Sequence, residues 1–176
     1  MKKIKLYIAA SLNGKIAEKD GSVAWLERIP NPDKNDYGYE AFSNSVDTTI
    51  QGYNTYKQIL DWGIEFPYKK TKNYVLTRKQ DVKDTKDVKF INKNPIERIK
   101  KLKQEKGKDI WLIGGGTINT LLLNEGLIDE IQIFVMPIIL PEGIEVFELF
   151  PKETLLKLKD SKSYPSGAME LVYRVG

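Results

Sequence analysis

The sequence contains no cysteine and no histidine. The first absence excludes disulfides, zinc–thiolate sites and thiol nucleophiles. The second removes the commonest general base and the commonest metal ligand. Any acid–base chemistry therefore falls to carboxylates, lysine, tyrosine or water, and no metal site is expected. Long apolar runs are also missing: none approaches the ~20 residues that cross a membrane. The opening MKKIKLYIAA has an apolar part of only about six residues before Ser11-Leu12-Asn13-Gly14, shorter than a signal-peptide core. It reads as a first β-strand, and the protein as cytoplasmic.

An excess of one charge is absent too. The chain carries 28 basic and 24 acidic residues, a net charge of +4. Its lysines are scattered. Ile96, Ile99 and Leu102 form the apolar stripe of an amphipathic helix, which leaves Lys100, Lys101 and Lys103 for its wet face. Such lysines read as a solvated face rather than a nucleic-acid patch. No repeat, low-complexity tract or linker interrupts the 176 residues, a length that suits one domain.

What is present is an alternation of strand and helix patterns. Residues 3–10, 46–51, 73–77, 88–91 and 109–113 read as strands. Helical patterns cover 36–45, 54–61, 95–105 and about 117–124, the third opening on Pro95 and the second on Asn54 or Thr55 as cap. The apolar run 129–140 is too β-branched for a loop, and two alternating segments flank Pro165-Ser166-Gly167 as a hairpin. The expected architecture is α/β: a mostly parallel sheet flanked by helices, with a C-terminal antiparallel hairpin. Residues 11–35 are rich in Gly, Asn, Asp and Pro around Trp25, and so long an irregular stretch points to a binding loop.

The run WLIGGGTINTLLL places Gly114, Gly115 and Gly116 after a buried strand and before a helix. Ligands of open α/β sheets sit outside the carboxyl ends of the strands. Glycine admits a close backbone approach, and the helix start offers free N–H groups to a phosphate. Thr117 adds a hydroxyl. The run is not a P-loop, since no Gly-Lys-Ser/Thr follows. Taken alone it could equally be a tight turn. The stretch VDTTIQGYNTYKQI repeats its logic, with Gly52 after a strand and Thr55 in the next helix. VLTRK ends a third strand in Thr77 and Arg78. In a parallel sheet these three ends share one side, and together they form a cradle for a ligand with several phosphates.

These residues carry a resemblance. AASLNGKIA, SVAWL, VDTTIQGYNTY, NYVLTRK, WLIGGGTINTLLLNEGLIDEI and VMPIILPEGIEVF appear in the order found in the dihydrofolate reductase-like superfamily. Within it the chain most resembles the reductase domain of riboflavin biosynthesis. The resemblance implies a dihydrofolate reductase-like fold and NADPH as hydride donor. It places Ala10 and Ile16 against the nicotinamide, and Gly52, Tyr53 and Thr55 at the helix that meets the phosphates. Thr77 and Arg78 fall near the 2′-phosphate, and Gly114, Gly115, Gly116 and Thr117 on the pyrophosphate side. Two departures stand out. Tyr53 replaces the family's usual arginine, which weakens the case for strong NADPH preference. Pro141 stands where the family has a flexible glycine.

The implied substrate is a small heterocycle of pteridine or pyrimidine type: dihydrofolate, or the ribosylaminopyrimidine of the riboflavin pathway. The latter's phosphate would want a basic cluster in the 11–40 region, which offers Lys15, Lys19, Arg28 and Lys34. The candidate catalytic acids are Asp36, at the family position counting back from Gly52, and Glu40 one helical turn later. Asp36 also has the character of a helix cap. Trp25 is either a ring that lines the substrate pocket or a plug that anchors the loop. Arg28, Tyr37 and Tyr39 are placed near substrate by location alone, and Trp111 reads as core. A non-catalytic dinucleotide-binding module of the same fold is the alternative. The run 129–140 and the hairpin suggest a symmetric homodimer.

Overall fold

The computed structural model describes residues 1–176. Five parallel strands follow the predicted pattern within a residue or two: β1 (Ile4–Ser11), β3 (Val46–Gly52), β4 (Lys72–Leu76), β5 (Val88–Ile91) and β6 (Asp109–Gly114). The run 129–140 supplies a sixth, β7 (Glu130–Met136). The hairpin is β9 (Leu156–Ser163) and β10 (Met169–Val175). These build one eight-stranded sheet in the order β5-β4-β3-β6-β1-β7-β10-β9. Every pairing from β5 to β7 is parallel, and β10 is antiparallel to both its neighbours.

Four helices cross between the strands: α1 (Tyr39–Ser45), α2 (Tyr53–Asp61), α3 (Pro95–Gln104) and α4 (Gly116–Asn124). Helix α2 is capped by Gly52 without any side-chain hydrogen bond, so neither Asn54 nor Thr55 is its cap. On α3, Ile99 and Leu102 enter the core as the stripe requires. Lys103 does not stay wet. It is buried, and its Nζ donates to the Leu127 carbonyl at 3.0 Å and to Asp129 Oδ2 at 2.6 Å. The charge reaches the interior because a carboxylate and a carbonyl are waiting for it.

The core divides at the sheet. Ile4, Leu6 and Ala10 of β1 join the main cluster with Ile50, Ile110 and Leu112. Tyr7 points to the other face, where its ring stacks on Phe42 of α1 at 4.2 Å and meets Trp111 edge-on at 6.2 Å. Trp111 is buried there, as its strand position implied.

The segment 11–35 is ordered by specific ties. It contains β2 (Lys15–Ala17), which pairs with β8 (Ile144–Glu145) as a separate two-stranded sheet, and a short 3-10 helix at Ala24–Arg28. Asn13 Nδ2 donates to the Leu140 carbonyl at 2.7 Å, and the Leu140 N–H donates back to Asn13 Oδ1 at 3.1 Å. The segment beginning at Pro141 is thereby fastened to the start of the loop. Gly143 has a φ of 154°, and a Cβ there would strike the Ala17 carbonyl oxygen. That contact explains why a glycine closes this turn even though a proline opens it.

Candidate active site

The registers of the parallel strands decide where their ends fall. Gly52 lies beside Leu76, and Gln51 beside Gly114. The chain therefore leaves β3, β4 and β6 at one level, on one rim. Thr55, Arg78 and Gly115 all line a single cleft of about 1830 Å³. Gly52, Tyr53, Thr77, Gly116 and Thr117 line it as well. Gly114 lies behind them, where an added Cβ would meet Asn119 Oδ1 at 3.4 Å; its peptide bond to Gly115 is cis.

Glycine is required for space at Gly116, where a Cβ would strike the Glu145 carbonyl oxygen. A Cβ on Gly52 would come to 3.0 Å from Ile118 Cγ1, and one on Gly115 to 3.4 Å from Thr55 Oγ1, so the starts of α2 and α4 lie close together. Both helix starts lack side-chain caps, so their first N–H groups remain free for an incoming group. Charges of both signs line the same cleft: Lys19, Lys57, Arg78, Lys79 and Lys152 against Asp20, Glu27, Asp61, Glu125 and Glu148, with Arg78 and Lys79 adjacent after β4. Lys79 Nζ sits 4.3 Å above the Tyr53 ring, a cation–π contact. Lys79 thereby brings a positive charge to the Tyr53 ring, at the position where the resemblance led us to expect an arginine. The neighbouring lysine in VLTRK was the only sequence signal for this.

A second, smaller cavity of about 250 Å³ opens on the Tyr7 face of the sheet. Tyr7, Ala9, Leu26, Phe134 and Met136 form its apolar wall, and Asp36 stands as its single carboxylate. Ala9 faces this cavity, whereas Ala10 is 1 % exposed in the main core. Successive strand residues point to opposite faces, so Ala9 and Ala10 serve different layers of the fold. Ile16 packs half-buried against the core and lines neither cavity.

Asp36 is held by the start of α1. Its Oδ1 accepts from the Gly38 N–H at 2.9 Å and its Oδ2 from the Glu40 N–H at 3.0 Å. The backbone N–H of Glu40, then that of Gly38, holds the Asp36 carboxyl below its ordinary range. It is an anion at neutral pH. Glu40 is exposed and lines neither cavity, so the structure does not bring it to the site. Trp25 is fully buried with Phe134, Met136, Leu140 and Tyr164. It lines neither of the two cavities, and its place in the fold is that of the plug beneath the loop.

Tyr37 lines the small cavity, and Tyr39 packs against Tyr7 and Trp111. Burial pushes the Tyr7 phenol well above its usual value, and it does the same to Tyr164, whose O–H donates to Glu170 at 2.6 Å. Among the loop cations, Lys15 pairs with Glu145, Lys19 with Glu142 and Arg28 with Glu18. No group of three or more carboxylates is placed to hold a metal ion. No helix is long and apolar enough to cross a membrane.

The family model of the RibD C-terminal domain matches residues 2–169. The chain belongs to that family. Two Bacillus subtilis (strain 168) relatives, the uncharacterized proteins YwjB and YyaP, are 39% and 32% identical to it. The alignments cover 98% of this chain in both cases, and 97% and 94% of the relatives. Among solved structures, a putative riboflavin biosynthesis protein from Shewanella sp. PV-4 superposes with a TM-score of 0.86 at 27% identity over 99% of both chains. A pyrimidine reductase-like protein from Corynebacterium diphtheriae gives 0.63 at 15% identity, over 99% of this chain and 92% of its own. A deaminase/reductase from Thermotoga maritima gives 0.73 at 16% identity, over 99% of this chain but 57% of its own. These last two likenesses concern the fold of the RibD C-terminal domain and nothing finer.

Proposed function

We propose that this RibD C-terminal domain protein is a reductase that draws a hydride from NADPH and delivers it to a small heterocycle of pyrimidine or pteridine type. The observation that carries the reading is the convergence of three strand ends on one cleft, where Arg78 and Lys79 stand together, with a small apolar cavity beside β1. The residues of the cleft suit a dinucleotide. Arg78 presents a planar fork for a terminal phosphate, with Lys79 beside it. The free N–H groups at the starts of α2 and α4 suit a pyrophosphate. Such a cofactor, when bound, supplies the hydride.

The protein's own part is placement and shielding. Tyr7, Leu26, Phe134 and Met136 give the substrate ring an apolar, water-poor slot. Asp36, ionised and fixed by two backbone N–H groups, receives hydrogen bonds from the ring's N–H edge. It orients the substrate and is not the proton donor at neutral pH. Burial makes Tyr7 a poor acid as well, which leaves water or the Tyr37 phenol, in the same cavity, to protonate the product. Lys15, Lys19 and Arg28 already have acid partners, so the reading requires no phosphate on the substrate.

The test is loss of nicotinamide absorbance on mixing protein, NADPH and either dihydrofolate or the ribosylaminopyrimidine of the riboflavin pathway. Turnover with one of them, abolished in Asp36→Ala, is the expected result. A second reading is favoured by the engagement of both Asp36 oxygens in the backbone: a dinucleotide-binding module without catalysis. NADPH binding with no turnover on either substrate would select it. Failure to bind any nicotinamide dinucleotide would reject both.

A further inference from the structure

The N-terminus of α4 is already met by an anion of the protein's own. Glu148 reaches it from the segment after β8, and its Oε2 accepts a hydrogen bond from Thr117 Oγ1 at 3.0 Å. The side chain lies hard against the first turn. A Cβ on Gly116 would stand 2.8 Å from Glu148 Cγ and 3.1 Å from its Oε2. The backbone is tied there too, since the Glu148 N–H donates to the Gly116 carbonyl at 3.4 Å. Further on, the Lys152 N–H donates to Asn124 Oδ1 at 2.8 Å, so residues 148–152 run the length of the helix.

No cation neutralises this carboxylate: Glu148 takes part in none of the protein's ion pairs. Lys152 lines the same cleft but gives its Nζ to the Asn124 carbonyl at 2.9 Å. One turn along α4, Thr120 is 3% exposed and also lines the cleft, yet its hydroxyl has no partner. A free helix start attracts an anion, and Glu148 fills that role from within the chain. A phosphate brought to the same place meets a like charge at short range.

We infer that Glu148 is a specificity-determining residue of the cleft: a built-in anion on the start of α4 that a phosphate-bearing ligand must displace. The inference rests on the dinucleotide reading of the cleft. Displacement frees the Thr117 hydroxyl and removes a like charge from beside the first N–H groups of α4 and the unpartnered Thr120 hydroxyl, which lines the same cleft. Until then the carboxylate holds down the affinity of the cradle for anions. Arg78 and Lys79, on the far strand end, are untouched by it.

The experiment titrates wild type, Glu148→Gln and Glu148→Ala with NADPH and, separately, with inorganic pyrophosphate, at low and at high salt. The glutamine keeps an oxygen that accepts from Thr117 and removes only the charge, and thermal melting confirms that each variant is folded. Both variants are expected to bind NADPH and pyrophosphate about three- to tenfold more tightly at low salt, with the gain shrinking as salt screens the charge. Equal or weaker binding of both ligands by the variants overturns the inference while leaving the cofactor reading intact. A gain that does not shrink with salt is steric and overturns the charge assignment. If NADPH binds none of the proteins but the variants gain pyrophosphate, the cofactor reading falls and the role of Glu148 stands.

Discussion

Arg78 stands at the first free turn after β4, and its chemistry is separable from that of its neighbours. Arg78→Ala is expected to weaken NADPH at least tenfold and NADH by much less, because only the former carries the extra phosphate for a guanidinium fork. Equilibrium titration with both cofactors checks this, and equal losses would remove Arg78 from that phosphate. Asp47 makes a different kind of residue-scale argument. Burial pushes its carboxyl up, but hydrogen bonds from Lys2, Thr48 and the Lys108 N–H outweigh this and hold it below the usual range. Lys2 is buried and bonds both Asp47 and Thr48 Oγ1, the latter at 3.0 Å. Asp47→Asn strands that ammonium and should cost about 2 kcal/mol at neutral pH. A depressed carboxylate stabilises the fold above its unfolded pKa of about 3.9, and that stability is lost as pH falls through the folded value. Urea unfolding of wild type and variant should therefore differ at pH 7 and converge toward pH 2. None of this pairing was visible in the chain order, because Lys2 and Asp47 meet only across the sheet.

At the scale of elements, the βα turns carry the most information. Strand, glycine and helix recur at Gly52 and at Gly114 to Gly116, and both turns were legible because steric need leaves a mark in sequence. Gly116→Ala is expected to destabilise the protein by about 2 kcal/mol or more, since its Cβ would drive into the Glu145 carbonyl oxygen and the Glu148 side chain. Differential scanning calorimetry reads this, and an unchanged Tm would mean that β8 can shift aside. Other element-scale features left no such mark. The pairing of β2 with β8 joins residues some 130 positions apart, Lys15 with Glu145, and neither strand is longer than three residues. The face of β1 presented to the small cavity also escaped, because alternation says that faces alternate and not which one a helix will cover.

At the scale of the molecule, the apolar run 129–140 is mostly covered, with Pro137 and Ile139 exposed just after its strand. Strand β7 is hydrogen-bonded on both sides, to β1 and to β10, so it offers no free edge to a second copy. The sheet ends on β5 and β9, and on β9 Leu156 and Leu158 remain solvent-facing beside Leu155. If a dimer forms, we propose this edge as its seam. Leu156→Glu combined with Leu158→Glu is then expected to yield a monomer in sedimentation velocity, and a wild type that already sediments as a monomer would end the proposal.

The sequence by itself determined the alternation of strand and helix, the parallel sheet with its terminal hairpin, and the glycine turns at the rim of the cleft, because each is a local pattern of burial or steric need. Tertiary structure alone decided that Lys79 lies over Tyr53, that Trp25 is a plug, that Asp36 spends both oxygens on backbone N–H groups, and that Glu148 stands at the start of α4. Those contacts join segments whose registers only the folded sheet brings level, and spacing along a chain does not encode distance across one.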